Sequence, residues 1–196
     1  MCRIVLEDAF VVPAVLSAYE LYNQNGPDGR VSSAEALGSL WGHRDGMVWT
    51  VRYVSITQSV THRDEDSVEG PTPFDELTHA AWAAYDISGC NYLGGFHSHA
   101  YPNVEMDDGL FDNWTEPSED DESAMPIDVI ELIVSLVPSA SVPTEYLEWA
   151  QRGDRVSGRV DVAYVAISGW YNDEEGVADE VRVEWPGSAG RPFGRP

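Results

Sequence analysis

The sequence predicts a single α/β domain, a mixed β-sheet flanked by helices. Apolar residues recur at helical spacing over 9–24 and again over 74–87, whereas 47–56 alternate with the period of a strand. The order of helix, two strands, helix, strand, short helix and further strands is typical of helices packed on a mixed sheet. With 196 residues, 43% of them hydrophobic, the chain can bury one core. We expect one domain over 1–186 and a disordered tail over 187–196.

The first half of the chain is predicted to hold two helices and a hairpin. The helix over 9–24 has Pro13 near its first turn, where proline is tolerated. The segments "EALGSLWG" and "GMVWTVRYVSIT" predict two strands joined by the turn "HRDG". The polar segment 57–73 predicts a loop, inserted before the helix over 74–87.

The second half is predicted to be mostly strands. The segment "YLGGFHSH" predicts a strand, and an irregular acidic stretch at about 100–116 follows it as a second insertion. The segment "PSEDDESA" predicts the start of a short helix. The apolar "VIELIVSLVP" predicts a buried strand, and "RVDVAYVAISGWY" with "DEVRVEW" predicts a final antiparallel pair.

Acidic side chains dominate the charge of the chain. The sequence holds 34 Asp and Glu against 11 basic residues, all of them Arg, and its net charge is -23. This composition resembles proteins of halophilic archaea, whose dense carboxylate surfaces stay hydrated in molar salt. Such a charge repels a phosphate backbone, and the sequence has no basic patch with interleaved aromatic residues. Nucleic-acid binding is therefore disfavoured.

The sequence also indicates a compartment. Its longest apolar run is too short to span a membrane, and the N-terminus has no basic segment ahead of its apolar run, unlike a signal peptide. Only Cys2 and Cys90 could form a disulfide, which is not the framework of a secreted protein. We expect a cytoplasmic protein that binds no membrane, and the sequence leaves its oligomeric state open.

Two of the five histidines stand one residue apart at the end of a predicted strand. Alternate side chains of a strand project to one face, so His97 and His99 point together while Ser98 points away. Two imidazoles on one face are a natural pair of Zn²⁺ ligands. A catalytic zinc also needs a third protein ligand and a base near its water. The acidic stretch that follows supplies candidate carboxylates: Asp107, Asp108, Asp112, Asp120 and Asp121.

The ordered set "EALGSLWG", "GGFHSHAYP" and "PSEDD" resembles the motif of the JAMM (MPN+) zinc metalloproteases. That family has a Glu at the start of an early strand, His-x-His ending a later strand, and Ser-x-x-Asp at the next helix N-terminus. The resemblance implies an MPN-like, cytidine-deaminase-like fold and a bound Zn²⁺. Two positions depart from the family: Ala100 stands where a Pro is usual, and 21 residues separate His99 from Asp121, more than the family commonly has.

The resemblance gives each site residue a role. It implies that His97, His99 and Asp121 are zinc ligands, that Glu35 is the general acid/base and that Ser118 supports the oxyanion with its hydroxyl. Asp121 is preferred among the candidate carboxylates because it alone has a Ser three positions earlier.

Two pairs of residues that include proposed site residues also have a purely structural interpretation. Ser32 with Glu35, and Ser118 with Asp121, have the spacing of helix capping boxes, in which the two side chains satisfy each other's backbone N–H groups.

The resemblance also implies a substrate class. JAMM enzymes cleave isopeptide bonds after the Gly-Gly tail of ubiquitin-like proteins, so we expect a deubiquitinase-like isopeptidase whose partners are ubiquitin-like modifier conjugates. The aromatic residues Tyr101, Phe111 and Trp114 and the 57–73 loop are candidate substrate-facing lids. Two other functions stay open: a non-catalytic MPN scaffold in a larger assembly, and a zinc hydrolase of a small amide or sulfur-carrier precursor.

Overall fold

In a computed structural model of the chain, β-strands dominate. The structure describes residues 2–22, 35–56, 62–63, 68–69, 83, 85–101, 115–118, 121–122, 125–173 and 178–188. The strands are β1 (Arg3–Leu6), β2 (Leu37–Asp45), β3 (Val48–Ile56), β4 (His62–Arg63), β5 (Val68–Glu69), β6 (Asn91–Ala100), β7 (Val129–Pro138), β8 (Ala150–Arg152), β9 (Arg155–Val160), β10 (Ala163–Asn172) and β11 (Ala178–Glu184). The helix α1 spans Asp8–Tyr22, and short 3-10 turns cover Ser139–Ser141, Thr144–Tyr146 and Pro186–Ser188.

Seven of the strands close into a barrel. Their order around the ring is β11, β1, β3, β2, β6, β7 and β10, and β10 pairs in turn with β11. The short β1 closes the ring by pairing in parallel with both neighbours, which places Arg3 opposite Val48 on one side and Arg182 on the other. β9 and β8 extend the sheet beyond β10.

The predicted α/β architecture, an MPN-like mixed sheet flanked by helices, is therefore wrong. A sheet that closes on itself covers much of its own inner face, so it needs fewer helices than an open sheet. Among the described residues, α1 is joined only by short helical pieces such as that at 85–88. The domain is mostly β.

Many local elements lie where the sequence predicts them. α1 occupies the first predicted helix, and β2 and β3 form the predicted hairpin, whose turn has Gly46 at φ +59°. β6, β7 and the β10–β11 pair match predicted strands. The strands β1, β8 and β9 were not predicted. Of the predicted helix over 74–87, residues 83 and 85–87 are helical, and the others lie outside the described residues.

The inserted segments are described only in part. Within 57–73 the structure describes the two-residue strands β4 and β5, which pair antiparallel. Within 100–116 the residues 102–114 lie outside the described part, and with them the candidate lid residues Phe111 and Trp114. Of the predicted tail, only 187–188 are described, in a 3-10 turn. No helix in the described ranges is long and apolar enough to cross a bilayer.

The main core lies against one side of β6 and β7. Phe10 of α1 meets Phe96 of β6 edge to face, with ring centroids 6.4 Å apart. On β7, the same side carries fully buried apolar residues: Ile130, Leu132, Val134 and Leu136. Because strand side chains alternate, His97 and His99 face the opposite side of the sheet, in register with Ile133 and Ser135. That second side, which we call the polar side, carries the candidate site.

Candidate metal centre

Three side chains predicted as metal ligands come together on the polar side of β6. His97 and His99 are both buried, and their Nε2 atoms lie 3.1 Å apart. Oδ2 of Asp121 lies 3.6 Å from Nε2 of His97 and 3.4 Å from Nε2 of His99. The two nitrogens and the oxygen form a nearly equilateral triangle, an arrangement that could hold a metal ion.

The triangle has the size that a tetrahedral zinc site requires. Zinc bonds of about 2.0–2.2 Å at tetrahedral angles separate neighbouring ligand atoms by about 3.3–3.6 Å. The separations of 3.1, 3.4 and 3.6 Å are close to that range. Two imidazole nitrogens and one carboxylate oxygen are also a donor set of catalytic zinc, which keeps its fourth position for water or substrate. The residues present therefore fit Zn²⁺.

The sheet holds the histidine pair rigidly. β6 is hydrogen-bonded to β2 on one edge and to β7 on the other. The strands approach closely at Gly94, where φ is +150° and a Cβ would overlap the carbonyl of Ile130. A glycine is needed here for both reasons. The histidines that follow are set by a backbone paired on both sides.

Asp121 reaches the histidines from a segment that is tied to β10 at two points. Ser168 Oγ donates to the carbonyl of Thr115 at 2.8 Å, and Asn172 Nδ2 donates to the carbonyl of Met125 at 2.7 Å. These contacts anchor the chain before and after Asp121. The long acidic insertion in the sequence therefore does not keep Asp121 from the two imidazoles.

Ser118 and Asp121 form a reciprocal pair. The N–H and the hydroxyl of Ser118 donate to Oδ2 of Asp121 at 2.8 and 2.7 Å, and the N–H of Asp121 donates to Oγ of Ser118 at 3.1 Å. This is the capping-box geometry that the sequence left open as an alternative. It is compatible with metal binding, because the Oδ2 atom that Ser118 orients is the atom nearest the imidazoles.

Glu35 is buried, with 6% of its surface exposed, and the next residue along the chain is hydrogen-bonded to β6. Ser98, between the two histidines, donates its N–H to the carbonyl of Ala36 at 3.0 Å, and its Oγ accepts from the N–H of Ala36 at 2.7 Å. Leu37 follows in register with His97. These contacts hold the Glu35 segment at the end of β6 that carries the histidines. Ser32, its possible capping partner, lies outside the described residues.

Each imidazole has a second partner on its Nδ1 atom. Glu131 Oε1 lies 2.9 Å from Nδ1 of His97, and Tyr101 Oη lies 3.4 Å from Nδ1 of His99. The sequence interpretation missed Glu131. A signal for it was present, because Glu131 is the one charged residue in the largely apolar strand segment "VIELIVSLVP".

The site attracts positive charge. Burial by itself would lower the pKa of His97, but its contacts with Asp121 and Glu131 outweigh burial and raise the pKa to about 10. Burial would raise the pKa of Asp121, yet the two imidazoles and the N–H of Ser118 hold it well below its usual range. Without a metal, the site is therefore a carboxylate facing an imidazolium, and a cation can replace that proton.

The other candidate carboxylates lie outside the described residues: Asp107, Asp108, Asp112 and Asp120. Among the predicted ligands and catalytic residues, the structure brings together the two histidines, Asp121 and Ser118. Glu35 is joined to this group through its neighbour Ala36, which is hydrogen-bonded to Ser98 on the strand of the histidines. Ser118 is exposed at the rim of this group.

Comparisons with known proteins bear on the fold. No protein-family model matches the chain, and no curated protein matches it. Among solved structures, the chain is similar to the solution structure of protein DSY2949 from Desulfitobacterium hafniense, with 19% identity and a TM-score of 0.51. The match covers 93% of this chain and 92% of that one. At this identity the likeness concerns the fold alone, and it extends over nearly the whole of both chains.

Proposed function

We propose that the chain is a JAMM-type zinc isopeptidase that cleaves bonds after the Gly-Gly tail of a ubiquitin-like modifier. The observation that supports this function is the triangle of His97, His99 and Asp121, whose size and donor set suit a catalytic zinc. A buried glutamate, Glu35, lies on a segment that is hydrogen-bonded to β6, the strand of the two histidines. The proposal rests on this set of residues and their order in the sequence, and not on the overall fold.

The residues divide the chemistry among them. Zinc at this site would supply Lewis acidity and a water whose pKa is lowered toward about 7. Glu35 takes the proton of the attacking water and later gives it to the departing amine. Ser118 keeps its N–H on Asp121 while its exposed hydroxyl turns to donate to the oxyanion, a contact typically worth about 2.7–4 kcal/mol.

The composition constrains the substrate. The sequence contains no Lys, so the chain cannot be conjugated through a lysine side chain of its own. A lysine-linked conjugate that it cleaves is therefore a separate protein. The net charge of -23 is screened in molar salt, where the Debye length is about 3 Å, so assays belong in molar KCl.

The test compares wild type with Glu35→Gln, using zinc analysis and cleavage of a Gly-Gly-linked isopeptide in molar KCl. We expect equal zinc content and a fall in kcat of about 10²–10⁴-fold, because general acid–base catalysis is lost. Glu184→Gln, which removes a carboxylate from a surface ion pair with Arg3, is the matched control and should keep full activity.

The outcomes separate the three functions. Absence of zinc from the wild type would end the enzyme proposal, and equal activity in both proteins would remove Glu35 from the mechanism. Zinc without cleavage of any Gly-Gly substrate would favour the scaffold function. Hydrolysis of small amides, while the isopeptide substrate stays uncleaved, would favour the zinc hydrolase of a small molecule.

A further inference from the structure

We propose that Glu131 is a positioning residue for the ligand His97, and that Gly95 provides the space in which its carboxylate lies. The inference rests on the metal centre of the proposed function, but not on the reaction catalysed there. It concerns a residue that lies outside the Glu, His-x-His and Ser-x-x-Asp pattern.

The contact between Glu131 and His97 fixes which nitrogen of the imidazole carries a proton when a metal is bound. Glu131 Oε1 lies 2.9 Å from Nδ1, and only 13% of the Glu131 side chain is exposed. An Nδ1–H that donates to this carboxylate leaves Nε2 as the nitrogen with the free lone pair once a metal is bound. Nε2 is the atom that faces His99 and Asp121. Glu131 therefore aims the lone pair of His97 into the triangle.

The sheet register explains how the carboxylate reaches its place. β6 and β7 are parallel, and Gly95 is paired with Glu131, so the two residues share the polar side with His97. A Cβ built on Gly95 would overlap the Glu131 carboxylate, whose atoms are its three nearest neighbours. The carboxylate thus lies over Gly95. A larger residue at position 95 would push it away from His97.

Glu131 has no competing cation among the described residues. Surface carboxylates such as Asp128 and Glu180 form ion pairs with arginines, whereas the ion pair of Glu131 is with His97. The second histidine has a weaker outer contact, since the neutral Tyr101 hydroxyl lies 3.4 Å from its Nδ1. We therefore expect metal binding to depend on Glu131 far more than on Tyr101.

The first test measures zinc dissociation constants of the full chain by competition with a chromophoric chelator in molar KCl. Glu131→Ala should weaken zinc binding by about 10–100-fold, the usual effect of removing such an outer partner of a ligand histidine. Glu131→Gln keeps an acceptor oxygen and should recover part of the affinity. Tyr101→Phe should change it by less than about threefold. Asp179→Asn removes an exposed carboxylate on β11 and controls for the loss of one negative charge.

The second test uses Gly95→Ala to separate positioning from folding. Gly95→Ala should weaken zinc binding in the wild-type background and should have little further effect in the Glu131→Ala background, where the overlapping carboxylate is gone. The visible absorption of bound Co²⁺ should shift in Glu131→Ala and in Gly95→Ala alike. Urea unfolding of the metal-free variants shows whether each of them is folded.

The outcomes test the role of Glu131, the metal centre and the proposed function separately. Wild-type affinity and an unchanged cobalt spectrum in Glu131→Ala would overturn the inference, as would additive effects of the two substitutions. If Glu131→Ala does not fold, Glu131→Gln and Gly95→Ala decide the question by the same readouts. Failure of the wild type to bind zinc would overturn the centre itself. The predicted loss of affinity without isopeptide cleavage would overturn only the proposed function.

Discussion

The hydroxyl of Ser98 accepts a hydrogen bond from the backbone N–H of Ala36 at 2.7 Å, and so ties the strand of the histidine pair to the segment that carries Glu35. Ser98 is fully buried, and its own N–H donates to the carbonyl of Ala36 at 3.0 Å. A single residue between the two proposed ligand histidines therefore fixes the segment of the proposed general base. The proposed ligand and base positions are linked through the backbone.

Ser98→Ala should lower the free energy of unfolding by about 1–3 kcal/mol, because the N–H of Ala36 loses its buried partner. It should also lower kcat with unchanged zinc content, since Glu35 is held less firmly. Urea unfolding, zinc analysis and kinetics measure these effects. For the stability measurement Ser135→Ala is the matched control, because the buried Ser135 hydroxyl has no hydrogen-bond partner among the described residues. Equal losses of stability in the two variants would contradict the assigned role of Ser98.

Ser118→Ala separates the two roles of Ser118. Loss of the cap should lower the free energy of unfolding by about 1 kcal/mol. Loss of the donor to Asp121 should weaken zinc binding, and loss of the oxyanion contact should lower kcat at saturating zinc by about 10²–10³-fold. Ser118→Thr keeps the hydroxyl and should restore most of both. If Ser118→Ala retains full kcat once zinc is saturating, Ser118 is a capping residue and takes no part in the reaction.

The stability of the metal-free protein should depend on pH through His97. Its pKa is raised from 6.5 to about 10, so its stabilising contribution is fully present below pH 6.5 and is lost as the pH rises through about 10. The pKa of Asp121 is lowered, so its contribution is present above 3.8 and is lost as the pH falls further. Urea unfolding of chelator-treated protein between pH 6 and 10 tests the first statement. His97→Gln should remove this decline, and parallel curves for the two proteins would contradict it.

Local pattern predicts the elements of this fold better than their closure. The apolar run of β7 and the alternation in β3 are visible within a few residues, and both strands lie where they are predicted. Closure depends on β1, a four-residue strand that pairs with β3 and with the distant β11, where Arg3 lies opposite Arg182. No periodicity marks so short a strand, and no local pattern marks a pairing over such a separation. The α/β prediction failed at this point.

The candidate site likewise has one part that local sequence pattern predicts and one part that it does not. The spacing of His97 and His99 on one strand predicts their shared face, because strand geometry is local. The approach of Asp121 is not local, since it depends on Ser168 and Asn172 of β10 holding the segments on either side of it. The spacing of Ser118 and Asp121 was compatible with a ligand and with a cap, and the structure forms the cap with the Asp121 oxygen that faces the imidazoles.

The most direct test of the central claim is the zinc content and zinc coordination of the purified chain, measured by metal analysis and X-ray absorption. We predict one zinc per chain, with two imidazole nitrogens and oxygen ligands at about 2.0–2.2 Å. We also predict loss of zinc in His99→Ala and in Asp121→Ala. A wild-type chain without zinc, or zinc retained unchanged in both variants, would contradict it.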